Sequence, residues 1–495
     1  MRGIISLFLV AGLGWTLSNN TGGVGGGGIA SPIMFQHIAS STNPTGNGIA
    51  GRAFVVATEP LPANSVAVIF VSALVGKTVT ISDTLGATWT NLCAASGGSG
   101  NAEAWAFVAP LGATGGADKI TIGVGASNTQ PVQYDLTVWE NINTTTPSGG
   151  SHCSAVNGVT PAAGVITDTG SFTPTNNNAN GGNVIETYVP VCTGFAGGNT
   201  SSWTAGSGFT LLNSEIIWTN NQGFPNAVQW KTQTTSASYT PTITESGDTV
   251  DCFNMATVAL QVANNSQTAP STIHIAKIIH ESMVAPGTTT IATKQEWTGN
   301  LRIATFTWTG GCPGGGGSCL TSSSPVTSSD GCVWTLKGVV NGGSGIAYAQ
   351  NCSTNLTGDT VTLHLTSALA SGQFSFRLYD VTGAAAASFQ NATTDASAAC
   401  GTSWSNMPGS FTPTGATAGV VFHAMGNGNG PIVVTSPANE TFDLWTFTGI
   451  TDSDLADNAD DSDHTYYSGS IPTLSWSGTK AHGADQCYYM SAAFN

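Results

Sequence analysis

Six aspartates crowd into twelve residues of the second half of the chain: Asp452, Asp454, Asp457, Asp460, Asp461 and Asp463, with His464 directly after. Like charges this close repel unless a cation or water screens them. Ca2+, a hard oxygen-seeking ion tolerant of irregular loops, is the fitting cation. The run departs from the Asp-x-Asp-x-Asp-Gly loop, since Ala456 interrupts it and no Gly follows. A solvated acidic loop is therefore the competing reading, and neither reading requires a cofactor.

Other chemistry is sparser. No Gly-x-Ser-x-Gly occurs, only the fragments 97–100 and 342–345 in glycine-rich turns. Glu140 and Asp380 each follow an aromatic residue at a strand end, and two such carboxylates across one cleft would hydrolyse a glycoside. A carboxylate that caps a turn is the plainer role for each. His37 and His274 both fall in apolar strands, where a hydrogen-bonded structural imidazole is the default. No catalytic residue is assigned. Exposed aromatic rings could instead stack on sugars, and the rings in variable segments are Trp203, Trp218, Trp404, Trp445, Tyr466, Tyr467 and Trp476. Trp89, Trp105, Trp139 and Trp334 lie in strand blocks and are expected in the core.

The elements that must position these groups come from a duplication. Residues 36–39 recur at 273–276, 86–90 at 331–335, and Ser-Phe-Thr-Pro-Thr at 171–175 and 410–414. Trp105 matches Tyr348, Trp139-Glu140 matches Tyr379-Asp380, and 252–255 matches 487–490. The order is unbroken and the offsets stay between 235 and 245, so one unit is used twice, over 31–262 and 272–495, with 263–271 as linker. Apolar residues alternate with period two and helical spacing is absent. The fold class expected is all-β: two tandem antiparallel β-sandwich (jelly-roll-like) domains from an internal duplication.

The order Ile81 to Thr90, Ala102 to Phe107, Tyr134 to Glu140, Gly170 to Thr175 and Ser207 to Leu211 resembles a tandem β-sandwich repeat of exported bacterial surface proteins. The resemblance implies fold and location, and no reaction.

Residues 1–18 carry Arg2, an apolar run from Ile4 to Trp15 and then Thr16-Leu17-Ser18, the grammar of a signal peptide; 19–30 reads as a glycine-rich tether. Ten cysteines suit an oxidising compartment. Positions kept in both copies suggest Cys153 with Cys252 and Cys400 with Cys487. The remainder then pair as Cys93 with Cys192, Cys312 with Cys319 and Cys332 with Cys352.

Composition narrows function. With 11 basic against 27 acidic residues the net charge is −16, which repels nucleic acid, and no later apolar run spans a bilayer. The first expectation is a non-catalytic secreted or cell-surface protein for adhesion or glycan binding, with a polysaccharide or cell-surface glycan as partner. The alternatives are a structural appendage or virion fibre subunit that binds copies of itself, and a secreted glycoside hydrolase.

Overall fold

The computed structural model describes residues 31–42, 52–58, 60–74, 76–96, 102–112, 115–116, 118–125, 132–157, 164–168, 170–175, 182–191, 195–196, 202–219, 222–234, 237–246, 252–263, 273–281, 289–308, 320, 324–340, 344–366, 374–399, 403–427, 432–435, 440–442, 459–467, 473–480 and 486–495. The signal peptide, the tether and most of the linker lie outside them. Among the described residues every regular element is a strand, and no helix is long and apolar enough to cross a membrane.

A ten-stranded sheet runs through the middle. Its first half is β1 (Ile33–Thr42), β8 (Val132–Glu140), β3 (Val66–Leu74), β6 (Ala102–Pro110) and β5 (Thr90–Ser96), in that spatial order. Its second half is β18 (His274–Glu281), β25 (Phe374–Thr382), β20 (Leu301–Trp308), β23 (Ser344–Gln350) and β22 (Thr335–Val340). The halves meet where β1 pairs with β18 in parallel, His37 opposite Lys277. The two units thus share a sheet rather than each keeping one to itself. From the seam outward the strand order is the same on both sides. A parallel pair flanked by mirrored order is the pattern of a two-fold axis lying in the sheet along the strands, which exchanges the sheet's faces between the halves.

The covering layers follow that exchange. On one face lie β2 (Arg52–Ala57), β7 (Lys119–Val124) and β4 (Val79–Ser82) over the first half. On the same face, over the second half, lie β26 (Phe389–Ala399), β33 (Gln486–Phe494), β28 (Gly419–Asn427), β31 (Ala459–Tyr467) and β30 (Glu440–Phe442). The other face meets a nine-stranded sheet. Its order is β21 (Val326–Ser328), β24 (Leu356–His364), β19 (Thr290–Trp297), β14 (Thr210–Thr219), β15 (Gln222–Gln233), β11 (Asn183–Pro190), β17 (Cys252–Gln261) and β9 (Ser148–Asn157), with β12 (Phe195–Ala196) beside β15. The three-stranded layer of one half and the five-stranded layer of the other therefore share each face. Two outer sheets complete the stack: β10 (Val165–Thr167), β16 (Thr242–Ser246) and β13 (Ser202–Ala205) over the nine-stranded sheet, and β27 (Ser403–Phe411), β32 (Leu474–Lys480) and β29 (Ile432–Thr435) over the five-stranded one.

A sheet covered on both faces needs strands that are apolar on both sides. In β3, Ala67, Ile69 and Val71 enter one core while Val66, Val68 and Phe70 enter the other. The recurring turn shows why its sequence repeats. Asp83 accepts the Trp89 indole at 2.6 Å, and Ser328 accepts the Trp334 indole at 2.8 Å. Between them Gly86 and Gly331 have φ of 76° and 83°, the left-handed region that glycine enters without strain. Asp118 receives Thr84 N and its hydroxyl, and Asp359 receives Asp330 N and the Ser329 hydroxyl, so each turn is clamped by an aspartate from the strand beside it. In the second half Arg302, fully buried, reaches both Asp330 at 2.7 Å and Asp359 at 3.2 Å over the Trp297 ring.

Two disulfides are described. Cys332 joins Cys352, as the pairing by elimination expects. Cys93 joins Cys153, which corrects the expected Cys153–Cys252 and Cys93–Cys192 bridges. The ladder gives the reason. On neighbouring strands Cys252 stands opposite Asn157 and Cys153 opposite Ala256, four residues or roughly 13 Å apart and beyond disulfide reach. Cys93 on β5 and Cys153 on β9 instead occupy the edges of two stacked sheets and tie them shut, helped by the Ser151 hydroxyl donating to Leu92 O. Cys192, Cys312, Cys319 and Cys400 lie outside the described residues, and with them the Cys312–Cys319 and Cys400–Cys487 pairings.

Peptide mapping without reduction is expected to recover Cys93 linked to Cys153. Replacing both by Ser removes a closure across 60 residues and lowers stability by about 4 kcal/mol on the chain-entropy scale. Recovery of Cys153 linked to Cys252 would contradict this arrangement.

Candidate functional site

Two polar clusters stand out, one sealed and one open. The sealed cluster lies at the seam between the ten- and nine-stranded sheets. His37 Nε2 is 2.8 Å from Asp135 Oδ2, and both side chains are 1% exposed. Beside them the Thr137 hydroxyl donates to Glu186 Oε2 at 3.0 Å, and the Trp139 indole donates to Glu186 Oε1 at 2.7 Å. Burial, with the nearby Asp135 carboxylate adding to it, pushes Glu186 up to about 8 against these two hydrogen bonds.

Across the seam Lys277 reaches from β18 into the nine-stranded sheet. Its ammonium donates to Leu212 O at 2.8 Å, Glu296 O at 3.2 Å and Gln295 Oε1 at 3.3 Å. Leu212 and Glu296 are the residues at which the β14 and β19 ladders slip register, and such bulges leave backbone groups without ladder partners. Burial lowers the Lys277 pKa, opposed by Glu296, Asp380 and Asp135. Burial likewise raises Glu296 to about 7, opposed by the charge of Lys277 and the Trp230 indole.

The two sequence-matched carboxylates do not face one cleft. Asp380 stands opposite Lys277 in the ladder and caps the turn after β19, accepting Thr298 N and its hydroxyl at 2.6 Å and Gly299 N at 2.8 Å. Glu140 stands opposite Ile33 at the other strand's end, is 1% exposed and is raised by burial to about 7. His274, matched to His37, bonds through Nε2 to Phe35 O at 2.9 Å. Perturbed carboxyls often mark active sites, but His37, Asp135, Glu186 and Lys277 are closed off from solvent, and the seam is a structural joint.

The open cluster lies on the first half. The isolated bridge between Phe172 and Tyr239 brings their rings to 5.0 Å, and Phe209 stands 6.2 Å from Tyr239. Lys231, from the end of β15, places Nζ 4.4 Å from the Phe209 centroid and 4.3 Å from that of Tyr239. All four side chains are partly buried, short of full exposure. Behind them His152 Nε2 lies 3.0 Å from Asp168 Oδ1, with the imidazole 29% exposed. Gly170 donates its N–H to Asp168, and a Cβ there would sit 2.6 Å from His152 Nε2, so a larger residue would push the imidazole aside. Burial, with the Asp168 charge, drives the Tyr239 pKa well above the usual phenol range, so the phenol stays neutral. The patch offers ring faces, one cation and a polar rim, which suits binding rather than bond cleavage.

Two rings of the expected ligand platform, Trp203 and Tyr467, are buried. Trp203 is 1% exposed and packs edge-on against Phe253 in the core under β10–β16–β13, a correction to its reading as a surface ring. Tyr467 is buried with its hydroxyl accepting from Gln390 Nε2 within the five-stranded sheet, and the Tyr466 hydroxyl accepts from Ile275 N at 2.9 Å, which fastens that sheet to the ten-stranded one. Trp218, Trp404 and Trp476 fall on β14, β27 and β32. Trp445 lies outside the described residues.

The acidic run is not one loop. Asp460, Asp461 and Asp463 belong to β31, paired with Gly426, Met425 and His423 of β28. Asp452, Asp454 and Asp457 lie outside the described residues. Among the described residues no group of three His, Cys, Asp or Glu side chains converges as a metal site.

Phe172 and Phe209 belong to the Gly-Ser-Phe-Thr-Pro-Thr and Ser-Gly-Phe-Thr-Leu motifs, so the signal for this patch was present as turn motifs rather than as loop tryptophans. Comparison of the chain with family models, curated proteins and solved structures found no match.

The sealed cluster gives a pH prediction. Below pH 4.5 Glu186 is protonated in both native and unfolded chains. As pH rises toward 8 the unfolded chain ionises first, and native stability falls, by at most about 5 kcal/mol for this one group. Glu186→Gln, isosteric with the acid, is expected to lose less in Tm between pH 5 and 9 than the wild type. An identical loss in both would contradict this role.

Proposed function

We propose that the chain is a non-catalytic surface or adhesion protein of the cell exterior, which binds a glycan through Phe172, Phe209 and Tyr239. The observation that carries this reading is three partly exposed aromatic rings gathered beside a cation and a His–Asp pair. Sugar rings present C–H faces to aromatic faces and hydroxyls to a polar rim, and a shallow aromatic patch of this kind meets both needs. The duplicated unit, a jelly-roll-like sandwich used twice with its faces exchanged, is part of the same proposal.

Export accords with the N-terminal apolar segment and with disulfides, which persist in oxidising compartments. Hydrolysis is not favoured, because Asp380 is committed to three hydrogen bonds in a turn and Glu140 is buried on a different strand end.

The test is retention of the full chain on insoluble polysaccharides and a glycan array, with Phe209→Ala and Tyr239→Ala alongside. Selective binding that weakens about tenfold or more in both variants, a loss of 1.4 kcal/mol each, at unchanged unfolding temperature, is the expected result. Absence of binding across the panel, or binding indifferent to both substitutions, would overturn the proposal.

A further inference from the structure

We propose that the glycan bound at this patch carries isolated acidic groups, a carboxylate or a sulfate, and that Lys231 receives them. This rests on the glycan reading of the Phe172–Phe209–Tyr239 patch and names the ligand class.

The chain has only 11 basic residues. Arg302 is committed to Asp330 and Asp359, and Lys277 to carbonyls at the seam. Lys231 is placed differently. Its ammonium rests between two ring faces, and no ion pair among the described residues includes it. Asp168, whose charge acts on Tyr239, is engaged with His152 and Gly170 N. Burial pulls the Lys231 pKa down, and no neighbouring carboxylate acts to raise it. A half-buried cation fixed by cation–π contact and without an ion pair among the described residues is a preformed receptor for one anion delivered next to an apolar ring face.

The surrounding charge sets the density of that anion. With a net charge of −16 the protein repels a densely charged polymer at long range. At physiological salt the field is screened beyond about 8 Å, so a single acidic group on an otherwise neutral saccharide meets Lys231 locally. Sparse acidic glycans are therefore favoured over heavily sulfated ones.

The test uses the full chain against oligosaccharide twins that differ only in one carboxylate or one sulfate, with a densely sulfated polymer as a third arm. Wild type, Lys231→Met and Lys231→Arg are compared at low and physiological salt. The expected result is a preference of about tenfold for the acidic twin, abolished in Lys231→Met and kept in Lys231→Arg. The carboxylate and sulfate arms identify which anion is preferred. Equal affinity for neutral and acidic twins in the wild type, a preference surviving in Lys231→Met, or tightest binding to the dense polymer would overturn this inference. Neutral binding still lost in Phe209→Ala would then leave the glycan reading standing, and no binding to any arm would remove both.

Discussion

The parallel pairing of β1 with β18 is the constraint on which the rest of the molecule depends. Those two strands open the two halves of the central sheet, and a parallel pair flanked by mirrored strand order sits back to back across an in-plane axis. The faces of the central sheet are thereby exchanged between the halves, so each side is covered by a small layer from one unit and a large layer from the other. Both faces become interior. Any polar side chain that β1 and β18 carry must then find its partner inside, because an unpaired buried charge costs several kcal/mol. His37 finds Asp135, and Lys277 finds the two bulge carbonyls where the nine-stranded sheet passes from one unit to the other. The same seam thus fixes the topology and accounts for the buried titratable groups.

Much of this was legible in the sequence, in a particular sense. The offset of 245 between Gly86 and Gly331 marks one turn made twice, down to the left-handed glycine and the indole bound three residues later. The face exchange was not legible, since a strand apolar on both sides, such as Val66–Leu74, carries no mark of which face meets which layer. Copy-to-copy logic also misled the disulfides. It equated positions along the chain, whereas Cys153 pairs with the strand stacked above it rather than the one beside it.

The site was half legible for a related reason. Tryptophans among Gly, Asn and Ser were read as exposed, but Trp203 belongs to an outer sheet that itself buries the second layer. Aspartates were read as a loop because charge overrides the period-two signal, although three of them continue a strand. A lone Glu within Asn183–Pro190 was the available clue to the buried acid at the seam. The open patch came instead from Phe172 and Phe209, residues of recurring turn motifs whose partial exposure only the layering decides. The layers also keep the two chemistries apart, the perturbed carboxyls inside and the aromatic faces at the surface.

Differential scanning calorimetry of the full chain tests the shared-sheet account most directly. Two units joined through a common ten-stranded core should unfold in one endotherm whose calorimetric and van't Hoff enthalpies agree. Two resolved endotherms, each close to the enthalpy of a separate half, would show that the units fold as independent sandwiches and that the seam does not unite them.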